Sequence, residues 1–117
     1  FPDLEPEILS GSDSRGFRDG TLKEALYNGT HYTVPIIRDI YITADRNNNR
    51  LRIIDFKQDK VVSICTGGQK NAAGNITECQ LDEPIGLFYF GQTLYIGVHN
   101  AIATLPGKCC IHIHLLL

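Results

Sequence analysis

The chain repeats itself. Ile40-Tyr41-Ile42 returns as Leu94-Tyr95-Ile96, an offset of 95 − 41 = 54 residues. The same offset carries Gly20 onto Gly74, Glu24 onto Glu78, Tyr27 onto Leu81 and Asn28 onto Asp82. Register-matched pairs spread this widely describe two copies of one unit, residues 16–68 and 69–117. A repeat constrains the fold more than any single motif does. A unit too small to bury both of its faces must be covered by its neighbours. A shorter echo precedes the two copies: Ile8-Leu9-Ser10-Gly11 matches Ile64-Cys65-Thr66-Gly67 at an offset of 56. Residues 1–15 therefore read as the outer strand of a preceding unit followed by a linker.

The pattern within each unit is β. Thr33–Ile37 is β-branched apart from Pro35, and Ile40–Thr43 follows after a tight connection at Arg38-Asp39. Leu51–Phe56 alternates and is rich in Ile, and Lys60–Cys65 reads as a half-buried strand. Asn47-Asn48-Asn49 is a turn, because Asn tolerates left-handed backbone and bonds its own main chain. The second unit repeats the scheme with strands at Gly86–Phe90, Thr93–Val98 and Ala101–Leu105, a turn at Pro106-Gly107 and a fourth strand at Ile111–Leu115. Helix is confined to Leu22–Leu26, too short to stand alone.

Four short antiparallel strands per unit describe a propeller blade. The predicted fold class is all-β, a partial β-propeller of about two four-stranded antiparallel blades. Propellers have about four blades or more, and 4 × 54 = 216 residues exceeds the 117 present, so this stretch cannot close a ring alone. An isolated pair of blades exposes apolar faces and strand edges. The expectation is a piece of a larger protein, a truncated product, or a chain that needs partners. The chain has no Met and begins at Phe1, which fits a processed product or a fragment.

Residues 16–105 carry a family pattern in order. The first unit has Gly16-Phe17-Arg18-Asp19-Gly20, Glu24-Ala25-Leu26-Tyr27-Asn28, Ile40-Tyr41-Ile42-Thr43-Ala44-Asp45, then Asn49-Arg50-Leu51-Arg52-Ile53-Ile54-Asp55. The second has Leu81-Asp82-Glu83-Pro84-Ile85-Gly86-Leu87 and Leu94-Tyr95-Ile96-Gly97-Val98. This series resembles the NHL-repeat β-propeller family over residues 7–105. The family's Pro and Gly before the inner strand are Thr30 and Tyr32 in the first unit. In the second, the Asp after the Tyr strand is His99, and Asn-x-Arg is reduced to Asn100-Ala101-Ile102. The tail from 106 is atypical, and residues 109–117 match nothing in the family. The Tyr41-Ile42-Thr43-Ala44-Asp45 run is also similar to the Tyr-Trp-Thr-Asp strand of lipoprotein-receptor propellers, but the chain has no Trp.

The resemblance implies a structural polar turn made of Asp45, Asn49 and Arg50, with Arg50 lying over the turn and bonding Asp45 or main-chain carbonyls. Antiparallel order puts turn 45–50, loop 66–79 and His99-Asn100 on one face. That face is the expected partner-binding surface, carried by Arg46, Asn47, Asn48, Asn49, His99 and Asn100, because loops on a rigid scaffold carry recognition. Cys65 and Cys79 flank a Gly-containing loop. They read either as a disulfide closing it, worth ~3 kcal/mol by chain entropy, or as two reduced packing cysteines. Asn28-Gly29-Thr30 and Asn75-Ile76-Thr77 are N-glycosylation acceptor patterns, although Asn28 also occupies the family's structural Phe-Asn position. Cysteines and acceptor patterns together favour an extracellular setting over a cytoplasmic one.

Cys109, Cys110, His112 and His114 have ligand chemistry but not the spacing of a tetrahedral zinc site. They read as a fortuitous tail, and His31 as a solvated loop residue. No nucleophile elbow, P-loop or His-Glu-x-x-His occurs. The expectation is a non-catalytic scaffold with no cofactor, no metal and no catalytic residue. Its partners would be proteins, further blades or a second copy. The alternative is part of an amidating-lyase-like or lactonase-like propeller enzyme with its catalytic residues on other blades. Eleven basic against 13 acidic residues, a net charge of −2, give no reason to expect nucleic acid. The apolar C-terminal run, Cys109–Leu117, is far short of the ~20 residues of a membrane span.

Overall fold

The structure, a computed structural model, describes residues 4–65 and 80–106. It is all-β. Strands β1 (Thr30–Ile37), β2 (Ile40–Asp45), β3 (Arg50–Asp55) and β4 (Lys60–Ile64) form one antiparallel sheet in the order β1-β2-β3-β4. Strands β5 (Leu87–Phe90), β6 (Thr93–Val98) and β7 (Ala101–Pro106) form a second, in the order β5-β6-β7. The described residues form no closed sheet.

Local chemistry sets each reversal. Arg38-Asp39 turns β1 into β2 with Asp39 left-handed, and Gly91-Gln92 turns β5 into β6 with both residues at positive φ. Arg46–Asn48 makes one 3-10 turn, ended by Asn49 at φ 54°, ψ 41°. The β3–β4 turn is held by Asp55, whose Oδ1 accepts from the Lys57 and Gln58 amides at 2.8 and 2.9 Å. Pro35 is tolerated because β1 is an edge strand of its sheet.

The short helical stretch expected at Leu22–Leu26 is a single hydrogen-bonded turn, Ala25 N to Thr21 O, after which Leu26 pairs with Arg18. Several other expectations change. Pro106 belongs to β7, paired with Thr93, and is not a turn residue. His31 lies within β1, exposed, and not in a loop. Residues 4–15 form no strand: the Gly11 amide and the Ser10 hydroxyl both donate to Leu22 O. The strand expected at Ile111–Leu115 lies outside the described residues.

One apolar core joins the sheets. Ile42, Ala44, Leu51, Ile53 and Ile64 of the first meet Leu87, Leu94, Ile96 and Val98 of the second, with Cys65 and Leu81. Full burial of each Leu or Ile contributes about 1.5–3 kcal/mol. A smaller cluster of Ala25, Ile54 and Val61, flanked by Leu22, Tyr27 and Phe56, lies on the far face of the first sheet. There the segment preceding β1 covers β2, β3 and β4.

Both sheets are antiparallel meanders, of four and three described strands, and the 54-residue offset does not carry the register of one onto the other. An offset of 54 applied to the pair Leu87↔Ile96 predicts Thr33 opposite Ile42, whereas Val34 stands opposite Ile42. The extra residue of β1 is absorbed in a bulge between Thr30 and Thr33. A one-residue slip exchanges the two faces of a strand. Ile42 and Ile96 therefore both enter the core, while Val34 and Ile36 pack against it and their offset partners Phe88 and Phe90 face solvent.

Candidate functional site

The β2–β3 hairpin is built around a buried charge. Arg52 is fully buried and its guanidinium makes four hydrogen bonds. Nη1 donates to Asp45 Oδ2 at 2.8 Å and Leu26 O at 2.7 Å, and Nη2 to Arg18 O at 2.6 Å and Asp19 Oδ1 at 3.0 Å. The Phe17 and Tyr27 rings lie 4.9 and 4.7 Å from its guanidinium carbon. Asp45 is buried as well, and it accepts the Asn28 amide at 2.7 Å and Asn48 Nδ2 at 2.8 Å. The sequence reading paired Asp45 with Arg50. Arg50 instead donates Nε to Asn48 O at 2.9 Å and lays its guanidinium over Phe17 at 3.9 Å. The carbonyl contact was foreseen, but the carboxylate goes to the arginine two residues on, which shares the same face of β3. Arg50 is directly opposite Asp45 and Arg52 is its diagonal neighbour, within reach of a long side chain.

The expected partner-binding residues divide into two sets. Asn48 and Asn49 are engaged within the fold: Asn48 Nδ2 also donates to Gly16 O at 2.9 Å, and Asn49 Oδ1 accepts the Glu83 amide at 3.0 Å. Asn47, exposed, keeps a light tie to Asn28 Oδ1 at 3.3 Å. Arg46 and His99, from hairpins of different sheets, converge on one carboxylate. Arg46 Nη2 is 3.3 Å from Glu83 Oε1, and His99 Nδ1 is 3.3 Å from Glu83 Oε2. Asn100 is exposed beside them. The surface at the hairpin tips is thus also the polar seam between the two repeats.

Glu83 was not singled out from sequence. It stands one repeat after Gly29, since 29 + 54 = 83, and both positions are left-handed, φ 79° for Gly29 and 47° for Glu83. A Cβ at Gly29 would lie 2.9 Å from Asn47 Nδ2, so the first unit needs glycine there. The second unit has a two-residue tip, His99-Asn100, between Val98↔Ala101, against six residues between Ala44↔Leu51. In the second unit the Glu83 carboxylate reaches this tip, 3.3 Å from His99 Nδ1. The usable signal was a charged residue at a repeat position held by glycine.

Asn28 is half-buried, with its amide and side-chain oxygen both engaged. Asn75 and Cys79 lie outside the described residues, as do loop 66–79 and the Cys109–His114 tail. Cys65 is buried and disulfide-bonded. A shallow cleft of ≈ 550 Å³ is lined by Asp19, Glu24 and Asp59, whose carboxylates are engaged. Asp19 bonds Arg52 and Ser63, Asp59 accepts from Leu22 N, and Glu24 accepts from Thr21 N. The Thr21 hydrogen bonds hold the Glu24 carboxyl below its ordinary range. Among the described residues no three His, Cys, Asp or Glu side chains are grouped to hold a metal ion, and no helix is long and apolar enough to cross a membrane.

No protein-family model matches the chain, and no curated protein matches it. Among solved structures, it is similar to a crystal structure of a structural-genomics protein of unknown function from Bacteroides thetaiotaomicron. The TM-score is 0.58 at 17% identity, over 84% of this chain and 22% of that one. The likeness is one of fold, and the chain spans under a quarter of that protein's length.

Proposed function

We propose that the chain is a pair of NHL-type propeller blades acting as a non-catalytic protein-interaction module, with further blades supplied from a larger assembly. One observation carries the reading: two antiparallel meanders of the same repeat share a single core, and their hairpin tips converge on Glu83. The disulfide at Cys65 fits an oxidising, extracellular compartment.

Recognition narrows to Arg46, Asn47, His99 and Asn100, with Asn48 and Asn49 as their supports. These groups suit a polar peptide segment with free main-chain donors and acceptors and a carboxylate for Arg46. The test selects peptides from a displayed library against the chain and titrates the best binder calorimetrically. An Asn47→Ala/Asn100→Ala variant, checked for unchanged circular dichroism, is expected to bind at least ~10-fold more weakly, a loss of ~1.4 kcal/mol. Equal affinity in the variant, or no selectable binder, sinks the reading.

A further inference from the structure

The outer face of the second sheet is apolar, continuous and bare among the described residues. Phe88, Phe90, Tyr95 and Ile102 share it, exposed by 62%, 69%, 39% and 73%. Phe88 stands directly opposite Tyr95, and Ile102 opposite Gly97. The Phe88 ring is 6.2 Å from Phe90 and 6.3 Å from Tyr95, so the aromatics form one surface. From Leu87 to Pro106 no Asp, Glu, Lys or Arg interrupts it. Soluble sheets usually guard such a face with charge.

We propose that this face is a self-association surface, and that two copies of this chain dock through it as a closed two-fold dimer. The argument for a second copy is one of area and of closure. A large aromatic side chain offers about 150–250 Å². At the observed exposures the four residues leave on the order of 450 Å² bare. Two such faces remove about 900 Å² before the flanking Thr93 and Thr104 are counted, close to the ~1,000 Å² of a specific interface. Closure follows from the other end of the molecule. The far face of the first sheet is taken by the segment before β1, where Thr43, Arg52 and Ile54 are buried, and the inner faces are packed together. With that far face covered, the patch on the second sheet meets its own copy, a self-complementary contact that gives a dimer and not a filament. The surface is separate from the hairpin tips proposed for recognition, so failure of either leaves the other standing.

The experiment is light scattering after size exclusion across a concentration series, on the full chain. The wild type is expected to move from one-chain to two-chain mass with a midpoint of about 10 μM or weaker, as suits a small interface. Phe88→Thr/Phe90→Thr, which keeps β-branched residues on the strand, is expected to stay at one-chain mass with an unchanged far-ultraviolet spectrum. Ile37→Thr, an exposed position on the first sheet, is expected to dimerise as the wild type does. A wild type of one-chain mass up to about 500 μM, fifty times that midpoint, overturns the proposal. So does a dimer that survives in the Phe88/Phe90 variant. Open-ended aggregation of the wild type that the variant dissolves also overturns it, and assigns the face to a further unit of the repeat in a longer polypeptide.

Discussion

The two repeats solve the same problem with different chemistry. In the first, the position opposite Thr43 is Arg52, fully buried and hydrogen-bonded to two carboxylates and two carbonyls. In the second, the position opposite Gly97 is Ile102, exposed. The first sheet is covered on both faces, one by the second sheet and one by residues before β1. Among the described residues, the second sheet is covered on one. A four-residue shortening of the hairpin tip accompanies the change, and with it the Asp45 carboxylate that neutralises Arg52 has no counterpart: its place is His99. A buried cation needs its whole set of partners, so the Asp–Arg pair is either kept complete or given up entirely.

The largest break in this comparison comes from Arg52. Arg52→Met leaves Asp45 buried without its cation and is expected to cost about 3–5 kcal/mol, read as a fall in the urea midpoint. Ile102→Thr, at the matching position of the second sheet, is expected to move it by less than ~0.5 kcal/mol, since exposed substitutions seldom do more. Equal effects at the two sites would show that the repeats are not differently built.

Next comes the left-handed residue that begins each repeat's polar seam. Gly29→Ala forces a side chain into left-handed backbone against Asn47 and is expected to cost about 1–2 kcal/mol. Glu83 already bears a side chain there. Glu83→Gln keeps the shape and removes the charge that Arg46 and His99 share. An exposed pair of this kind is worth ~0.2–1 kcal/mol, and the effect is expected to shrink in ~1 M salt, where the screening length is about 3 Å. A salt-independent loss would mean that Glu83 acts through packing and not charge.

The smallest effect is confined to alkaline pH and to the first repeat. Burial raises the Tyr27 phenol above its ordinary 10.0, against the Ser10 hydrogen bond and the nearby Arg52 charge, which lower it. The folded state therefore holds the phenolic proton more tightly than the unfolded chain. Tyr27's contribution is complete below pH ~10 and is lost as pH rises through the raised folded-state value. The urea midpoint of the wild type should fall faster above pH ~10 than that of Tyr27→Phe. Parallel slopes would place the alkaline loss elsewhere.

What was legible in the sequence was local. The Asn47–Asn49 reversal, the tight Arg38-Asp39 connection and the seven described strands follow from turn chemistry and alternation, which act within a few residues. The grouping of Arg46 with His99 was foreseen as a shared face. Its carboxylate was not, because Glu83 stands out only when the repeat is laid on the three-dimensional register. The Asp45–Arg52 pair was missed for a similar reason. Two arginines, Arg50 and Arg52, share a face of β3, and the choice between them depends on the burial supplied by Phe17, Arg18, Leu26 and Tyr27 from outside the hairpin.

The sequence by itself determined that the described residues form β-strands in two antiparallel sheets, joined by turns of recognisable chemistry. Those properties depend on the short-range preferences of single residues and on a period that can be counted. Only the tertiary structure decided which face of each strand is inside. A single-residue bulge in β1 changes that assignment without changing the composition or the order of elements, because side chains alternate with a period of two. The bulge packs Val34 and Ile36 against the shared core, whereas their offset counterparts Phe88 and Phe90, on a strand without that bulge, are exposed.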